Sequence, residues 1–318
     1  MMTTDIPPLP TIALIGAGTI GTAWAVVFAA AGMPVRLYDA EASRLPAAQA
    51  MARARLSDLA AHDLIDGGVD DIMTRITPSA DLETALAGAD HVQENAPEDL
   101  DLKRDLLARV AAIAPAGCTI ASSTSFIEPS RLFDHVKGRE RCLVLHPGNP
   151  PFLIRVVEVV PAPFTAPETV AHCNALLTRA AMAPIAVNKE VEGFVFNRLQ
   201  GALLREAYCL VRDGVTTATD IDRIVRDGMG IRLAVTGPFE NADLNAQGGI
   251  EGHAKRMGPS YARLGAERGQ NDPWTDDMVA TVAAERRAAL PLDQKDARAA
   301  WRDRAVMTIL RARKDFLG

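Results

Sequence analysis

The sequence predicts an α/β fold: a doubly wound, mostly parallel sheet over roughly the first 185 residues, then an all-helical C-terminal domain. Three observations carry this. Short apolar runs alternate with helix-patterned segments up to Val187. The first two strands flank a helix that opens on a glycine-rich turn. Beyond Val187 no segment has strand character. At 318 residues the chain exceeds what one small core holds, so two domains are expected, 1–190 and 191–318.

The elements follow in order. Residues 11–15 are an apolar run read as a buried strand, and 19–31 carry a continuous apolar helix pattern that Gly32 stops. Residues 34–38 (PVRLY) form the second strand. The Ala/Arg/Leu-rich stretch 41–62 reads as an exposed helix, broken at Asp66-Gly67-Gly68. A third strand is expected at Ile76 and a helical turn over 81–87. HVQE at 91–94 ends another strand, and 100–114 is an amphipathic helix closed by Pro115 and Gly117. TIAS at 119–122, CLVL at 142–145 and VVEVV at 156–160 complete the strands. Helices are then expected over 193–213, 219–227, 242–256, 275–289 and 293–316.

Composition narrows the function. With 48% hydrophobic and 23% charged residues, and no run near the ~20 apolar residues that span a bilayer, the chain reads as globular with no membrane partner. Residues 1–10 lack a basic stretch followed by an apolar one, so a cytoplasmic protein is expected. The cysteines at 118, 142, 173 and 209 have no metal-ligand spacing; no metal is expected, and each thiol reads as a small buried hydrophobe. A net charge of -6 with dispersed basic residues gives no nucleic-acid footprint.

The turn itself is Gly16-Ala17-Gly18-Thr19-Ile20-Gly21. A Gly-x-Gly-x-x-Gly alone is a weak signal. Here it follows a strand, opens a helix and is trailed by an acid, Asp39, after the second strand. That is the Rossmann-type arrangement for a dinucleotide. The first glycine permits the turn, the second lets the backbone approach the pyrophosphate, and the third lets helix and strand pack closely. Phosphate sits at the helix N-terminus, where free N–H groups and the dipole favour anions. Asp39 accepts from the adenosine ribose hydroxyls and repels a 2′-phosphate, so NAD is the expected cofactor; Arg36 and Arg44 nearby weigh toward NADP.

Four further segments carry chemistry: Ser122-Ser123-Thr124-Ser125, His146-Pro147-Gly148-Asn149, Glu158 inside VVEVV, and Asn197 in GFVFNRL. Ser125 and His146 fall at the carboxyl ends of strands, where ligands of open α/β sheets gather. His146 suits proton transfer near neutral pH, and an acid among four valines is best explained by a buried partner. Each has a plainer reading. His146 alone could be a packing residue, Glu158 an edge charge, Ser125 the cap of a helix over 126–132, and Asn197 a helix-start residue. The remaining histidines, at 62, 91, 135, 172 and 253, read as structural or solvated.

These residues carry a resemblance. The segments IGAGTIG, ENAPEDLDLK, ASSTS, LHPGNPP, VVEVVP, GFVFNRL and GMGIRLAVTGPFE, from about Pro10 to Ala246, resemble the 3-hydroxyacyl-CoA dehydrogenase superfamily, within it the lambda-crystallin / L-gulonate 3-dehydrogenase branch. The resemblance implies that His146 takes the hydroxyl proton as hydride leaves for the nicotinamide, that Glu158 pairs with it, and that Ser125 and Asn197 hold the substrate oxygen. It implies that Glu98 and Lys103 lie beside the nicotinamide ribose and the substrate, and that Arg232 binds a substrate carboxylate. For Arg232 a surface salt bridge is the alternative. It further implies a homodimer formed through the helical domain, an active site between the domains, and a small hydroxy-acid or acyl substrate. Gly148 departs from the larger residue often found there, and the helical hairpin over 41–66 looks shortened, which weakens a CoA reading. Substrate readings that stay open are L-gulonate or a related 3-hydroxy acid, a 3-hydroxyacyl-CoA, and carnitine; a crystallin-like protein without activity is the reading from another class.

Overall fold

A computed structural model describes residues 9–234, 236–247, 249–268, 277, 288 and 291–317. The eight strands are β1 (Ile12–Ile15), β2 (Val35–Tyr38), β3 (Ile76–Ser79), β4 (His91–Glu94), β5 (Thr119–Ser122), β6 (Cys142–Pro147), β7 (Val156–Pro161) and β8 (Ala183–Ala186). They form one sheet in the order β3-β2-β1-β4-β5-β6-β7-β8. β1 to β6 run parallel; β7 reverses against β6, and β8 runs with β7. The doubly wound, mostly parallel sheet is therefore as expected, with β8 an addition that its weak Ala-Pro pattern concealed.

The order reverses at β1, so the crevice between β1 and β4 is the switch point where ligands of such sheets bind. Helix α1 (Thr19–Ala30) lies on the sheet there. Nine consecutive residues, Gly21 to Ala29, are buried, which is why its pattern is apolar on every side. The next helices are α2 (Leu45–Ala61), α3 (Val69–Met73), α4 (Leu82–Leu86), α5 (Leu100–Ile113), α6 (Pro129–Phe133) and α7 (Pro167–Arg179). Two apolar clusters cover the two faces of the sheet, one built on Trp24, Phe28 and Leu56, the other on Leu107, Phe133 and Val144.

Helices α8 (Phe196–Arg212), α9 (Ala218–Ile224), α10 (Gly230–Leu233), α11 (Pro238–Leu244), α12 (Gly249–Arg268) and α13 (Lys295–Leu317) make up the rest. A π-helical turn, Val225–Met229, links α9 to α10. By packing, the chain divides into Met1–Arg198 with Asp303–Lys314, and Leu199–Arg302 with Asp315–Gly318. Residues 303–314 thus return to the sheet unit: Met307 joins the core beside Trp24's cluster and Arg311 pairs with Asp63 at 2.9 Å. Within the helical unit Arg268 ties α12 to α8 through Glu206 at 3.0 Å.

Three expectations need correction. The helix expected over 242–256 is two, because the chain turns after Leu244 and re-enters α12 at Gly249 with φ +64°. The helix expected from Gly193 starts at Phe196, since Gly193 and Phe194 both take left-handed φ values, 73° and 49°. Ser125 caps no helix: α6 starts at Pro129, with Glu128 in the cap position. The helix expected over 275–289 lies outside the described residues but for Asp277 and Ala288.

Candidate active site

The glycine turn leaves β1 at the switch point. Gly16 has φ +101°, and a Cβ on it would stand 2.8 Å from the carbonyl oxygen of Asn95. A Cβ on Gly21 would meet the Gly16 oxygen at 1.8 Å, so α1 presses directly on the turn. Gly18 is the opposite case. Nothing lies within 4 Å of its missing Cβ, and as N-cap it offers no side-chain acceptor to the first turn of α1. An open backbone face before uncapped N–H groups is a cradle for a phosphate. Asp39 follows β2 with 7% exposure; its carboxylate accepts from Ala17 N at 2.8 Å and Glu41 N at 2.9 Å, which aims it over the turn. Arg36 donates to carbonyls at the end of α4, including Ala87 O, and Arg44 pairs with Glu41 at 2.8 Å. Both guanidiniums are thus engaged elsewhere, and these residues fit NAD.

The reversal of β7 builds the second part. The register sets His146 directly opposite Glu158, and cross-strand neighbours stand close enough for side chains to touch. The bond is His146 Nδ1 to Glu158 Oε2 at 2.7 Å, with 6% and 2% exposure. The other carboxylate oxygen accepts from Val195 N at 2.7 Å and Phe196 N at 3.0 Å, at the start of α8. The left-handed Gly193 and Phe194 turn the chain so that those N–H groups face the acid. Burial raises the Glu158 pKa, but the bonds from His146, Phe196 and Val195 outweigh it and hold the carboxyl below its usual range. An ionised acceptor requires Nδ1–H, leaving Nε2 as a lone-pair base with no partner among the described residues. Phe194 and Phe196 flank the ring at 5.6 and 6.4 Å between centroids.

Ser125, Asn197 and Glu98 come together in one run of hydrogen bonds, and Asn197 directly follows Phe196, whose N–H donates to Glu158. Asn197 Nδ2 donates to Ser125 O at 3.0 Å, and Glu98 Oε1 accepts from Thr124 Oγ1 at 2.5 Å and Ser125 N at 2.9 Å. Lys103 points inward: its ammonium is 1% exposed and donates to Glu94 Oε1 at 2.8 Å, with Glu98 Oε2 at 3.6 Å. The sequence reading gave Glu94 and Ser122 no role of their own, although both lie in segments it singled out and Glu94 stands opposite Ser122 in the β4–β5 register. Arg232 lies on α10 of the helical unit, exposed and without an ion pair among the described residues.

The family models match in two parts: "3-hydroxyacyl-CoA dehydrogenase, NAD binding domain" over residues 11–191, and "3-hydroxyacyl-CoA dehydrogenase, C-terminal domain" over 193–290. This chain belongs to the 3-hydroxyacyl-CoA dehydrogenase family. As a member it is an NAD-dependent dehydrogenase. Among its relatives, the lambda-crystallin homolog of Bos taurus is 37% identical over 94% of both chains. L-carnitine dehydrogenase of Streptomyces coelicolor is 39% identical over 95% of this chain and 94% of its own. Among solved structures, an NAD+-dependent dismutase, 5-formyl-3-hydroxy-2-methylpyridine 4-carboxylic acid 5-dehydrogenase, superposes with a TM-score of 0.83 at 29% identity, covering 96% of this chain and 98% of that one. No helix among the described residues is long and apolar enough to cross a membrane. The four cysteines of this dehydrogenase form no disulfide and are buried; burial pushes Cys118, Cys142 and Cys173 up to about 12, which leaves those three unreactive thiols.

Proposed function

We propose that this dehydrogenase oxidises the 3-hydroxyl of a small, L-gulonate-like hydroxy acid, with His146 as the base. The observation that carries the reading is the 2.7 Å bond from His146 Nδ1 to an ionised Glu158, which leaves Nε2 free to accept a proton. Gly18, the first turn of α1 and Asp39 hold NAD, which supplies the hydride acceptor when bound. His146 Nε2 takes the hydroxyl proton, and Glu158 stabilises the imidazolium so formed. The Ser125 hydroxyl and the Asn197 amide hold the reacting oxygen where carbonyl character develops. Glu98 and Lys103 set the segment on which Ser125 sits.

Arg232 engages the free carboxylate of the substrate. Its support is the resemblance to the lambda-crystallin branch and an exposed guanidinium with no carboxylate of its own among the described residues. The short α3, five residues after the 17 of α2, weighs against a CoA ester. Carnitine is the second reading, favoured by the 39% identity to a carnitine dehydrogenase. An intact His146–Glu158 pair argues against a crystallin without activity.

We infer a homodimer formed through the helical half, from about residue 191 onward. Within the helical unit only Cys209 and Ala218 are buried among the described residues, while Leu199, Val215, Ile231, Phe239 and Leu244 are 63% to 79% exposed. An exposed apolar surface of that kind marks an interface. Light scattering tests this against the 34.0 kDa chain mass. Cysteines held outside disulfides accord with a cytoplasmic protein. The substrate test is purified protein with NAD and L-gulonate, 3-hydroxybutyrate, L-carnitine or 3-hydroxybutyryl-CoA, read by cofactor absorbance. Turnover of L-gulonate or 3-hydroxybutyrate above the others supports the reading; faster turnover of the CoA ester or carnitine replaces it.

A further inference from the structure

The most deeply buried charges in the sheet unit lie outside the His146–Glu158 pair. Glu94, the last residue of β4, is fully buried, and Lys103 of α5 is 1% exposed. A buried ion pair contributes little net stability compared with well-packed apolar side chains, so its consequence is to be sought in geometry. Glu94 Oε1 accepts from Lys103 Nζ at 2.8 Å and from Ala96 N at 2.5 Å; Oε2 accepts from Ser122 Oγ at 2.5 Å. Lys103 Nζ also donates to Ala96 O at 3.0 Å. One ion pair therefore grips both backbone groups of Ala96, in the turn that leads to Glu98.

Glu98 stands between two pulls. Its Oε2 is 3.6 Å from Lys103 Nζ, a distance of charge attraction without a hydrogen bond. Its Oε1 takes Thr124 Oγ1 at 2.5 Å, Ser125 N at 2.9 Å and Phe126 N at 3.3 Å. Ser125 O in turn takes Asn197 Nδ2. An unbroken run of contacts thus joins Glu94 to Ser125 and Asn197. Because Glu94 satisfies the ammonium, Glu98 is free to hold the 124–126 backbone instead of closing on Lys103.

We propose that Glu94 is a positioning residue: by neutralising Lys103 it keeps Glu98 on the 124–126 segment and so fixes where Ser125 stands. This rests on the reading above only in giving Ser125 contact with substrate. In Glu94→Gln the buried ammonium retains one carboxylate, Glu98, which moves toward it and releases Ser125 N and Phe126 N. A displacement of about 1 Å at a positioned group costs roughly 100-fold in rate.

Two measurements on the full chain test this. Amide hydrogen exchange by mass spectrometry requires neither substrate nor cofactor, so it stands apart from the catalytic reading. Glu94→Gln is expected to speed exchange about tenfold or more in peptides over 123–127, with β4 and β5 unchanged. Equal acceleration through β4 and β5, or none over 123–127, overturns the proposal. The second is a cycle of Glu94→Gln with Glu98→Gln on kcat, using whichever panel compound is oxidised. Each single variant is expected to lose about 10- to 100-fold, and the double variant no more than the worse single, because both act through Glu98. Losses that multiply show a merely structural role and overturn it. Should Glu94→Gln not fold, Glu94→Asp retains the charge and draws it back from Lys103; it is expected to give the same selective exchange at a smaller size, and its absence is equally decisive.

Discussion

Replacing Glu158 with glutamine substitutes one oxygen by nitrogen and, through that change, reverses a hydrogen bond. Val195 N and Phe196 N both donate to Oε1, so the amide oxygen of the variant must sit there. The amide nitrogen then faces His146 Nδ1 and donates to it. Nδ1 becomes the acceptor, the proton moves to Nε2, and the lone pair proposed to take the substrate proton is lost. In the Ser-His-Asp triad the equivalent change costs about 10⁴ in kcat by the same tautomer argument. Here a loss of roughly 10³- to 10⁴-fold is expected, about 4 to 5.5 kcal/mol at 1.36 kcal/mol per decade. Glu158→Ala imposes no tautomer and forfeits only the charge-assisted bond, about 1.5 to 3 kcal/mol, or roughly 10- to 150-fold. It also strands two backbone donors, so the ranking inverts for stability, with alanine melting lower than glutamine. Steady-state rates with the panel compounds and thermal melts check both orders. A glutamine variant within tenfold of the parent, or faster than the alanine variant, refutes the tautomer reasoning. The depressed Glu158 pKa sets the sign in pH. Its stabilisation is complete above the ordinary value of 4.5 and is lost as pH falls through the lower folded value.

Three further outcomes follow from the same geometry. Gly18→Ala meets no atom within 4 Å and is expected to leave the melting temperature of the apo protein unchanged while weakening NAD at least tenfold; Gly21→Ala, whose Cβ would stand 1.8 Å from Gly16 O, is expected to destabilise by about 3 kcal/mol or more, and equal melts for the two would contradict the packing argument. Burial takes His91 down to about 4, with Gln93 opposing and His172 assisting, so its neutral form stabilises the fold above the ordinary 6.5 and that contribution, about 3 kcal/mol, is lost as pH falls from 6.5 toward 4. Denaturant titrations across that window should show a shallower decline in His91→Gln; parallel declines would assign it to other groups. Arg232→Met is expected to raise KM for the free acid about tenfold or more with kcat little changed, and an unchanged KM returns Arg232 to the surface.

What the sequence disclosed was local. Strand, glycine turn, helix and acid follow one another within thirty residues, so the cofactor site could be read from order alone. His146 and Glu158 were legible because an acid amid valines and a histidine after an apolar run both demand partners, although the sequence placed His146 after its strand and the structure places it inside β6. The polar interior was not legible. His91, Gln93 and Glu94 are three of the four residues of β4 and all are buried, since a parallel strand is covered on both faces. Their partners, Thr119, Ser123 and Ser122, belong to the next strand or the turn after it, and only register reveals that. The helix read over 126–132 forms as α6, and its start was readable: Pro129 favours the first helical position, three residues after Phe126.

The reversal of β7 is the step that makes the site chemical. Six parallel strands deliver their carboxyl ends to one edge, where the glycine turn, Ser125 and His146 all arrive. Had β7 run parallel to β6, its early residues would sit at the opposite edge, and the acid at its third position would stand far from His146. Running antiparallel, β7 begins where β6 ends, so an early acid meets a late histidine. The eight residues between them, 148–155, must then fold back at that edge to bring β7 alongside β6. Gly148 meets that demand: a Cβ there would lie 2.3 Å from Ile154 Cγ2 and 3.2 Å from Ile154 O, so the loop folds back on the glycine itself. A larger residue at 148 would push Ile154 and the start of β7 outward, and with them Glu158. Gly148 is therefore tied, through the loop it opens, to the distance between His146 and Glu158.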